Sequence, residues 1–308
     1  MTLSSFKSAA VAVAFGVGFL ATQAASATQP LVSVDWLKTN TGRNNVVVLD
    51  LRTDKGDDKT ASYSAGHVPN AISSTYPGIW RTTRDSVVGV LPPVETIEQD
   101  IASLGISDEK QVVLVPAGTN VSDFGVAARI YWTLKHLGHD NVSILDGGHS
   151  AWLSSGAPLQ VASVEPVAAS FRAEPVEELN ISTPQVKDRL NSGALFLDAR
   201  PTAWFTGEKK HPKAARYGRI PGAIEADNHK FFDEETGRLK DTATLRDLVP
   251  AEVKSDSKIV SYCNTGHWAA TNWFVLSEVL GFKDVTLYDD SMVGWSQTDN
   301  PIASGADG

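Results

Sequence analysis

The chain of 308 residues has one cysteine, Cys263, only two methionines, fewer cations than anions, and no late apolar run that approaches transmembrane length. Each scarcity excludes something. A lone thiol cannot close an intramolecular disulfide or build a thiolate metal cage, so packing or reactivity must account for it. With 27 Lys and Arg against 36 Asp and Glu the formal net charge is −9, which argues against nucleic acid and against an anionic membrane surface as partners. An anionic substrate has to be drawn by local cations.

The first segment, residues 1–27, carries one cation (Lys7), an apolar stretch from Ala9 to Ala21 and the small-residue ending Ala25-Ser26-Ala27. It reads as a secretory signal peptide and is too short to span a bilayer. Its removal leaves 281 residues with a net charge of −10 and no membrane anchor. The expected location is therefore the periplasm or the exterior. An unpaired cysteine in an oxidising compartment is a liability unless buried or used. The local sequence favours use: the short apolar strand ending at Tyr262 is followed by Cys263-Asn264-Thr265-Gly266-His267-Trp268-Ala269, and a helical pattern then runs through Phe274 and Val279 to Gly281. At such a strand-to-helix junction, loop N–H groups and a helix N-terminus converge and favour the thiolate over the thiol.

The second half restates the first. Val46 to Arg52 and Ala194 to Arg200 are apolar strands ending in Asp-x-Arg, and Gly66 to Ile72 is echoed by Gly218 to Ile224. Val112 to Val115 matches Ile259 to Tyr262, and Val142 through Trp152 matches Val285 through Trp295. Four landmarks repeated in one order imply duplication. The predicted organisation is a first copy at 30–158, a Pro-containing linker at 159–178 and a second copy at 179–304. Strands alternating with helical patterns such as Glu95–Leu104, Phe124–Leu137 and Trp268–Leu280 predict, in each copy, an α/β layer structure, a mainly parallel sheet flanked by helices. In open sheets of this kind chemistry gathers beyond the carboxyl ends of the strands, where Cys263 falls.

These residues resemble the rhodanese family in its tandem two-domain form, the sulfurtransferases of thiosulfate and 3-mercaptopyruvate. The resemblance rests on Tyr63-Ser64-Ala65-Gly66-His67-Val68-Pro69-Asn70-Ala71, on Leu145-Asp146-Gly147-Gly148-His149-Ser150-Ala151-Trp152, and on the repeated order with the cysteine in the second copy. It implies two rhodanese-like domains, the first catalytically silent because Pro116-Ala117-Gly118-Thr119-Asn120 stands where the cysteine loop belongs. Its simplest role is that of a packing partner. In the second copy Cys263 is implied as the catalytic residue, taking a sulfane sulfur as a persulfide and passing it on, with no metal and no organic cofactor. The loop Asn264, Thr265, Gly266, His267, Trp268 and Ala269 would wrap backbone N–H groups around the sulfur, with Gly266 relieving the tight turn. Cysteine phosphatases of the related fold place an arginine where Ala269 stands, so phosphate chemistry is disfavoured.

The resemblance does not carry over the donor. Cys263-Asn264-Thr265-Gly266 matches neither the thiosulfate-type nor the mercaptopyruvate-type loop, and Trp204 replaces the family's usual substrate-binding arginine. Candidate substrate-binding residues are Arg200, Arg219 and Trp204, with Lys209, Lys210 and His267 as further anion partners. Against this, Arg200 can be a structural partner of Asp198, and Arg219 can be tied into the fold. His267 could donate a hydrogen bond or carry charge near neutral pH. Trp152 and Trp295 are expected to be structural, and Trp268 is the aromatic worth testing for function. The implied partners are a small anionic sulfur donor and a thiol or cyanide-like acceptor. A persulfide carrier serving a protein acceptor is the alternative, and a purely structural tandem domain would leave the Cys263 loop unexplained.

Overall fold

The computed structural model describes Met1, residues 28–53 and residues 62–305. The expected signal segment lies outside the described residues but for Met1. Each half of the chain builds one five-stranded, wholly parallel sheet. The first uses β1 (Leu31–Val32), β2 (Val46–Asp50), β3 (Ile72–Ser73), β6 (Gln111–Val115) and β7 (Val142–Leu145), in the order β1-β7-β6-β2-β3. The second uses β8 (Asn180–Ile181), β9 (Leu195–Asp198), β10 (Ile224–Glu225), β13 (Lys258–Tyr262) and β14 (Asp284–Tyr288), in the order β8-β14-β13-β9-β10. The two orders are the same order, so the sequence repeat is a topological one. Between the sheet strands each half inserts a small antiparallel hairpin: β4 (Thr82–Arg84) with β5 (Val87–Val90), and β11 (Phe232–Asp233) with β12 (Arg238–Leu239).

Helices α1 (Val34–Asn40), α2 (Val94–Ser103), α3 (Val121–His136) and α4 (Gly148–Ser154) belong to the first half, and α5 (Thr183–Asn191), α6 (Thr202–Phe205), α7 (Thr242–Leu248), α8 (His267–Phe274) and α9 (Ser291–Trp295) to the second. The central strands are apolar on both faces because both are covered. Along β6, Val112 and Leu114 enter the large shared core while Val113 and Val115 enter a separate core with Leu145 and Trp152, a period-two division. Likewise Ile259 of β13 faces the shared core, and Val260 and Tyr262 face a third cluster with Trp295. The equivalent tryptophans are structural, as expected: Trp152 Nε1 donates to Pro158 O and Trp295 Nε1 to Pro301 O, each at 3.0 Å.

The shared core joins the halves through α3 and α8. Phe124 and Tyr131 of α3 meet the ring of Phe274 edge-on at centroid separations of 5.6 and 4.9 Å. Gly125, inside α3, permits this approach, since a β carbon there would lie 2.9 Å from His267 Nε2. The segment after α4 is extended and docked along the first half, with Ala169 N bonded to Ala102 O, Glu174 N to Leu137 O and Val176 N to His136 O.

Candidate active site

Strand β13 ends at Tyr262, and the chain turns through Cys263 to Gly266 before α8 begins. Gly266 sits at φ 75° as the residue preceding the helix, and a β carbon there would collide with Arg129 Nη1. Glycine is therefore required twice, for its dihedral and for the approach of an arginine from the other half. Cys263 is 1% exposed and belongs to the shared core.

Three sets of contacts hold the loop. The first is the start of α9 in its own half: Cys263 O and Asn264 O accept from Met292 N and Val293 N, both at 3.0 Å. The second is Ser291, whose Oγ accepts from the N–H groups of Cys263 and Gly266 at 3.1 Å each and donates to Tyr288 O at 2.8 Å. The third comes from the first half of the chain. Arg81 donates through Nη2 to Thr265 O and through Nε to Gly89 O at 2.6 Å. Arg129 of α3 donates to Asp289 Oδ1 at 2.5 Å and, at 3.4 Å, to Gly266 O. Asp289 also accepts from Leu91 N at 2.7 Å, and Arg84 pairs with Asp290 at 2.6 Å.

Among the described residues no N–H group bonds to the Cys263 sulfur itself, so the expected wrapping of N–H groups around it is not shown. The amide of Gly266 is committed to Ser291. Among the described residues, the N–H groups of Asn264, Thr265 and His267 have no backbone or side-chain acceptor. They are the donors the loop leaves open, next to the Asn264 side-chain oxygen, which is buried without a partner.

His267 does not serve as a charged anion partner. Its Nε2 faces Ser122 O at 3.2 Å and its Nδ1 faces Tyr76 Oη at 3.1 Å. A carbonyl only accepts, so Nε2 carries the proton and Tyr76 donates to Nδ1. Burial, then the charges of Arg81 and Arg129, push its pKa down to about 3, against the opposing hydrogen bond to Ser122. The ring stays neutral, and it fastens the helix start to the first half. Burial likewise raises the Tyr76 pKa, with Arg81 and Arg129 opposing.

The two arginines expected to bind substrate are absorbed by the fold. Arg200 is 1% exposed, pairs with Asp198 through Nη2 at 2.6 Å and Nε at 2.8 Å, and donates to Gly218 O at 2.9 Å. Arg52 repeats this in the first half, with Asp50 at 2.7 Å and Gly66 O at 2.8 Å. A motif that recurs in the half without a cysteine serves the strand end. Arg219 is 2% exposed, lies over Phe205 at 4.2 Å and donates to Phe205 O and Gly305 O at 3.2 and 2.7 Å. Trp204, half-buried, meets Trp268 edge-on at 6.0 Å, and Trp268 reaches Ser122 Oγ at 3.4 Å. Of the lysines, Lys209 is exposed and Lys210 is turned onto Ala214 O at 2.6 Å.

A cavity of about 530 Å³ opens beside Thr265 and is lined by Arg81, Thr82, Thr83, Gly89 and His211. At the corresponding place in the first half, beside Gly118, a cavity of about 740 Å³ is rimmed by Asp35, Asp146, Glu234 and Glu235, with Arg238 paired to Asp146 at 3.1 Å. Each half thus lends its hairpin to the other's loop, and of these two cavities the one at the cysteine loop carries an arginine, Arg81, with no carboxylate on its rim. Among the described residues no group of His, Cys, Asp and Glu could hold a metal ion. Sequence reasoning missed Tyr76, Arg81, Arg129 and Ser291. Arg129 alone left a signal, as the one charge inside Ala127-Ala128-Arg129-Ile130-Tyr131.

The sequence pattern of the rhodanese-like domain matches residues 33–155 and again 182–298. A Haloferax volcanii protein that carries the provisional name thiosulfate sulfurtransferase is 30% identical over 275 residues, 86% of this chain and 92% of its own. The Arabidopsis thaliana mitochondrial thiosulfate/3-mercaptopyruvate sulfurtransferase 1 is 28% identical over 310 residues, 92% of this chain and 80% of its own. Among solved structures, Escherichia coli SseA, a 3-mercaptopyruvate sulfotransferase with the rhodanese fold, superposes with a TM-score of 0.73 at 27% identity, covering 86% of this chain and 99% of that one. The anaerobic ergothioneine biosynthesis enzyme of Chlorobium limicola shares the fold with a TM-score of 0.78 at 19% identity, over 90% of this chain and 70% of that one. Two matched domains, with one strand order repeated in each half, establish that the chain belongs to the rhodanese family as a tandem of two rhodanese-like domains.

Proposed function

We propose that this sulfur-transferring enzyme moves a sulfane sulfur from a small anionic donor to a small thiophilic acceptor through a persulfide on Cys263. The carrying observation is the asymmetry between two otherwise equivalent loops. Pro116 O and Ala117 O accept from His149 N and Ser150 N at 2.8 and 3.0 Å, as Cys263 O and Asn264 O accept from Met292 N and Val293 N. Proline therefore stands at the cysteine's place in the first copy, and one nucleophile remains, in the loop both halves grip.

With thiosulfate as donor, the Cys263 thiolate attacks the outer sulfur, an S–S bond forms, and sulfite leaves with the electron pair of the broken bond. A thiolate or cyanide then attacks the outer persulfide sulfur, and the Cys263 thiolate is restored as leaving group. In this reading the open N–H groups of Asn264, Thr265 and His267 stabilise the anionic sulfur in both steps. Arg81 lines the cavity beside Thr265 and supplies a local cation that the net charge withholds, while burial and the neighbouring cations lower the His211 pKa and keep that ring neutral. Burial of Cys263 favours a small acceptor over docking of a protein partner. We further infer from residues 1–27 that the protein is exported to the periplasm or beyond; amino-terminal sequencing of the fractionated native protein tests this, and an intact Met1 would refute it.

Intact-mass measurement after incubation with thiosulfate, and separately with mercaptopyruvate, tests the chemistry. The parent is expected to gain one sulfur atom from the preferred donor, and Cys263→Ser none. Arg81→Ala is expected to raise the donor KM. A folded Cys263→Ser variant that turns over at the parental rate would sink the reading.

A further inference from the structure

The hydrogen bonds that equate Pro116 with Cys263 and His149 with Met292 also equate Gly148 with Ser291. The two backbones agree: Gly148 has φ 56° and Ser291 φ 48°. Left-handed dihedrals are ordinary for glycine and uncommon for serine, so the second copy holds a strained residue where the first holds a permissive one. In the first copy the space belongs to the loop itself. A β carbon on Gly148 would collide with Pro116 O and lie 3.0 Å from Gly118 N. In the second copy that β carbon is present and the loop stands clear of it.

The hydroxyl of Ser291 is saturated by the cysteine loop. A hydroxyl has one proton and two acceptor lone pairs. Its proton goes to Tyr288 O at 2.8 Å, and the N–H groups of Cys263 and Gly266 fill the acceptor sites at 3.1 Å each. Ser291 is fully buried, so water does not compete for these bonds. The two ends of the turn are thereby tied to one atom, which fixes the four-residue arc between them and aims the intervening N–H groups of Asn264 and Thr265 away from Ser291.

We propose that Ser291 is the positioning residue for Cys263: its β carbon props the loop off the following strand-to-helix turn, and its hydroxyl pins both ends of the arc so that the remaining loop amides face the transferred sulfur. This rests on the reading of Cys263 as the persulfide-forming nucleophile. Nothing in the reaction is routed through the serine oxygen itself; it acts on the geometry of the donors that stabilise anionic sulfur.

The test compares Ser291→Gly, which restores the first copy's residue, with Ser291→Ala, which keeps the prop and removes the acceptor. Both are expected to lower kcat for sulfur transfer by at least about tenfold per folded molecule, with donor KM within about twofold of the parent, since binding lies elsewhere. A merely structural serine would lower the melting temperature and leave kcat per folded molecule unchanged. Amide hydrogen exchange in the parent needs no variant: the Cys263 and Gly266 amides are expected to be protected like the core, and those of Asn264 and Thr265 to exchange faster. Parental kcat in either folded variant, or rapid exchange at Cys263 and Gly266, overturns the proposal. Sulfur uptake by the parent with unimpaired variants overturns this inference alone, whereas a parent that gains no sulfur overturns the persulfide reading beneath it.

Discussion

The Arg129–Asp289 pair offers the sharpest test of how the two halves work together. The side chains are 0% and 3% exposed and meet at 2.5 Å, one from α3 of the first half and one just past β14 of the second. Arg129 also lies over the Trp132 ring at 4.6 Å and reaches Gly266 O at 3.4 Å. Replacing it with methionine keeps most of the bulk and removes the charge. Asp289 then stays buried with only the Leu91 amide at 2.7 Å, and an uncompensated buried carboxylate of this kind costs about 3–5 kcal/mol. Asp289→Asn alone strands the guanidinium instead. In the double variant neither charge is stranded, so its loss is expected to fall short of the summed single losses by about 2 kcal/mol. Urea denaturation followed by tryptophan fluorescence measures all four proteins. Because the pair bridges the halves, Arg129→Met is also expected to split or broaden a single transition as the halves uncouple. A loss below about 1 kcal/mol for Arg129→Met, or strict additivity in the cycle, would refute the claim that this pair clamps the halves over the cysteine loop.

Three further outcomes follow from the same geometry. Arg219→Ala removes the donor to Phe205 O and Gly305 O, so it is expected to cost about 1–3 kcal/mol of stability while donor KM stays at the parental value; thermal melting with steady-state kinetics checks both, and a raised KM would restore Arg219 to the site. Gly125→Ala places a β carbon 2.9 Å from His267 Nε2, so it is expected to destabilise by about 1–3 kcal/mol although alanine is the better helix former; a higher melting temperature would contradict that packing. Stability is expected to fall as pH drops below about 6.5, because burial first, then Arg52, lowers the His149 pKa to about 4 and burial first, then Arg81, lowers that of His267 to about 3. Both rings stay neutral in the folded chain while the unfolded chain takes up protons below its ordinary histidine pKa, so their contribution is complete above that value and lost on acidification. His149, 3% exposed, alone accounts for a loss on the order of 3 kcal/mol between pH 6.5 and 4, and denaturation midpoints across that range would show it; flat midpoints would refute it.

The sequence made legible whatever the two copies have in common. Asp-x-Arg at the ends of β2 and β9, the glycine turns before β3 and β10, and the tryptophans of α4 and α9 all recur because each serves its own sheet. The same logic explains why Arg200 and Arg219 were poor candidates for substrate. Arg200 repeats Arg52 down to the carbonyl it reaches, and repetition in a copy without the cysteine marks a structural role. The charge state of His267 was not legible, since it depends on Arg81, Arg129 and Ser122, none of them near it in sequence. Arg81 left no trace because it lies between landmarks, next to a hairpin whose target is the other half of the chain. Ser291 was visible as a letter, but its meaning lies in a φ of 48° and a bond to an amide 28 positions away.

What the copies do not share is therefore where the chemistry must be sought, and it is divided between them. The second copy kept the thiol and spent its own buried arginines on Asp198 and on the carbonyls of Phe205 and Gly305. The first lost the thiol and supplies Arg81 and Arg129, which reach Thr265 and Gly266 across the interface. A copy without a cysteine is thus more than the packing partner that its loop sequence implied. It holds the loop carbonyls outward. Peptide planarity then turns the following N–H groups the other way, so a cation on Thr265 O biases the direction of the Gly266 amide toward Ser291, and a cation on Gly266 O biases that of His267. In an isolated second half those carbonyls would face water, and the arc would lose two of its restraints together with the positive field that offsets a strongly acidic chain. The cysteine loop is thus folded by one half and held from the other, through Arg81 on Thr265 O and Arg129 on Gly266 O.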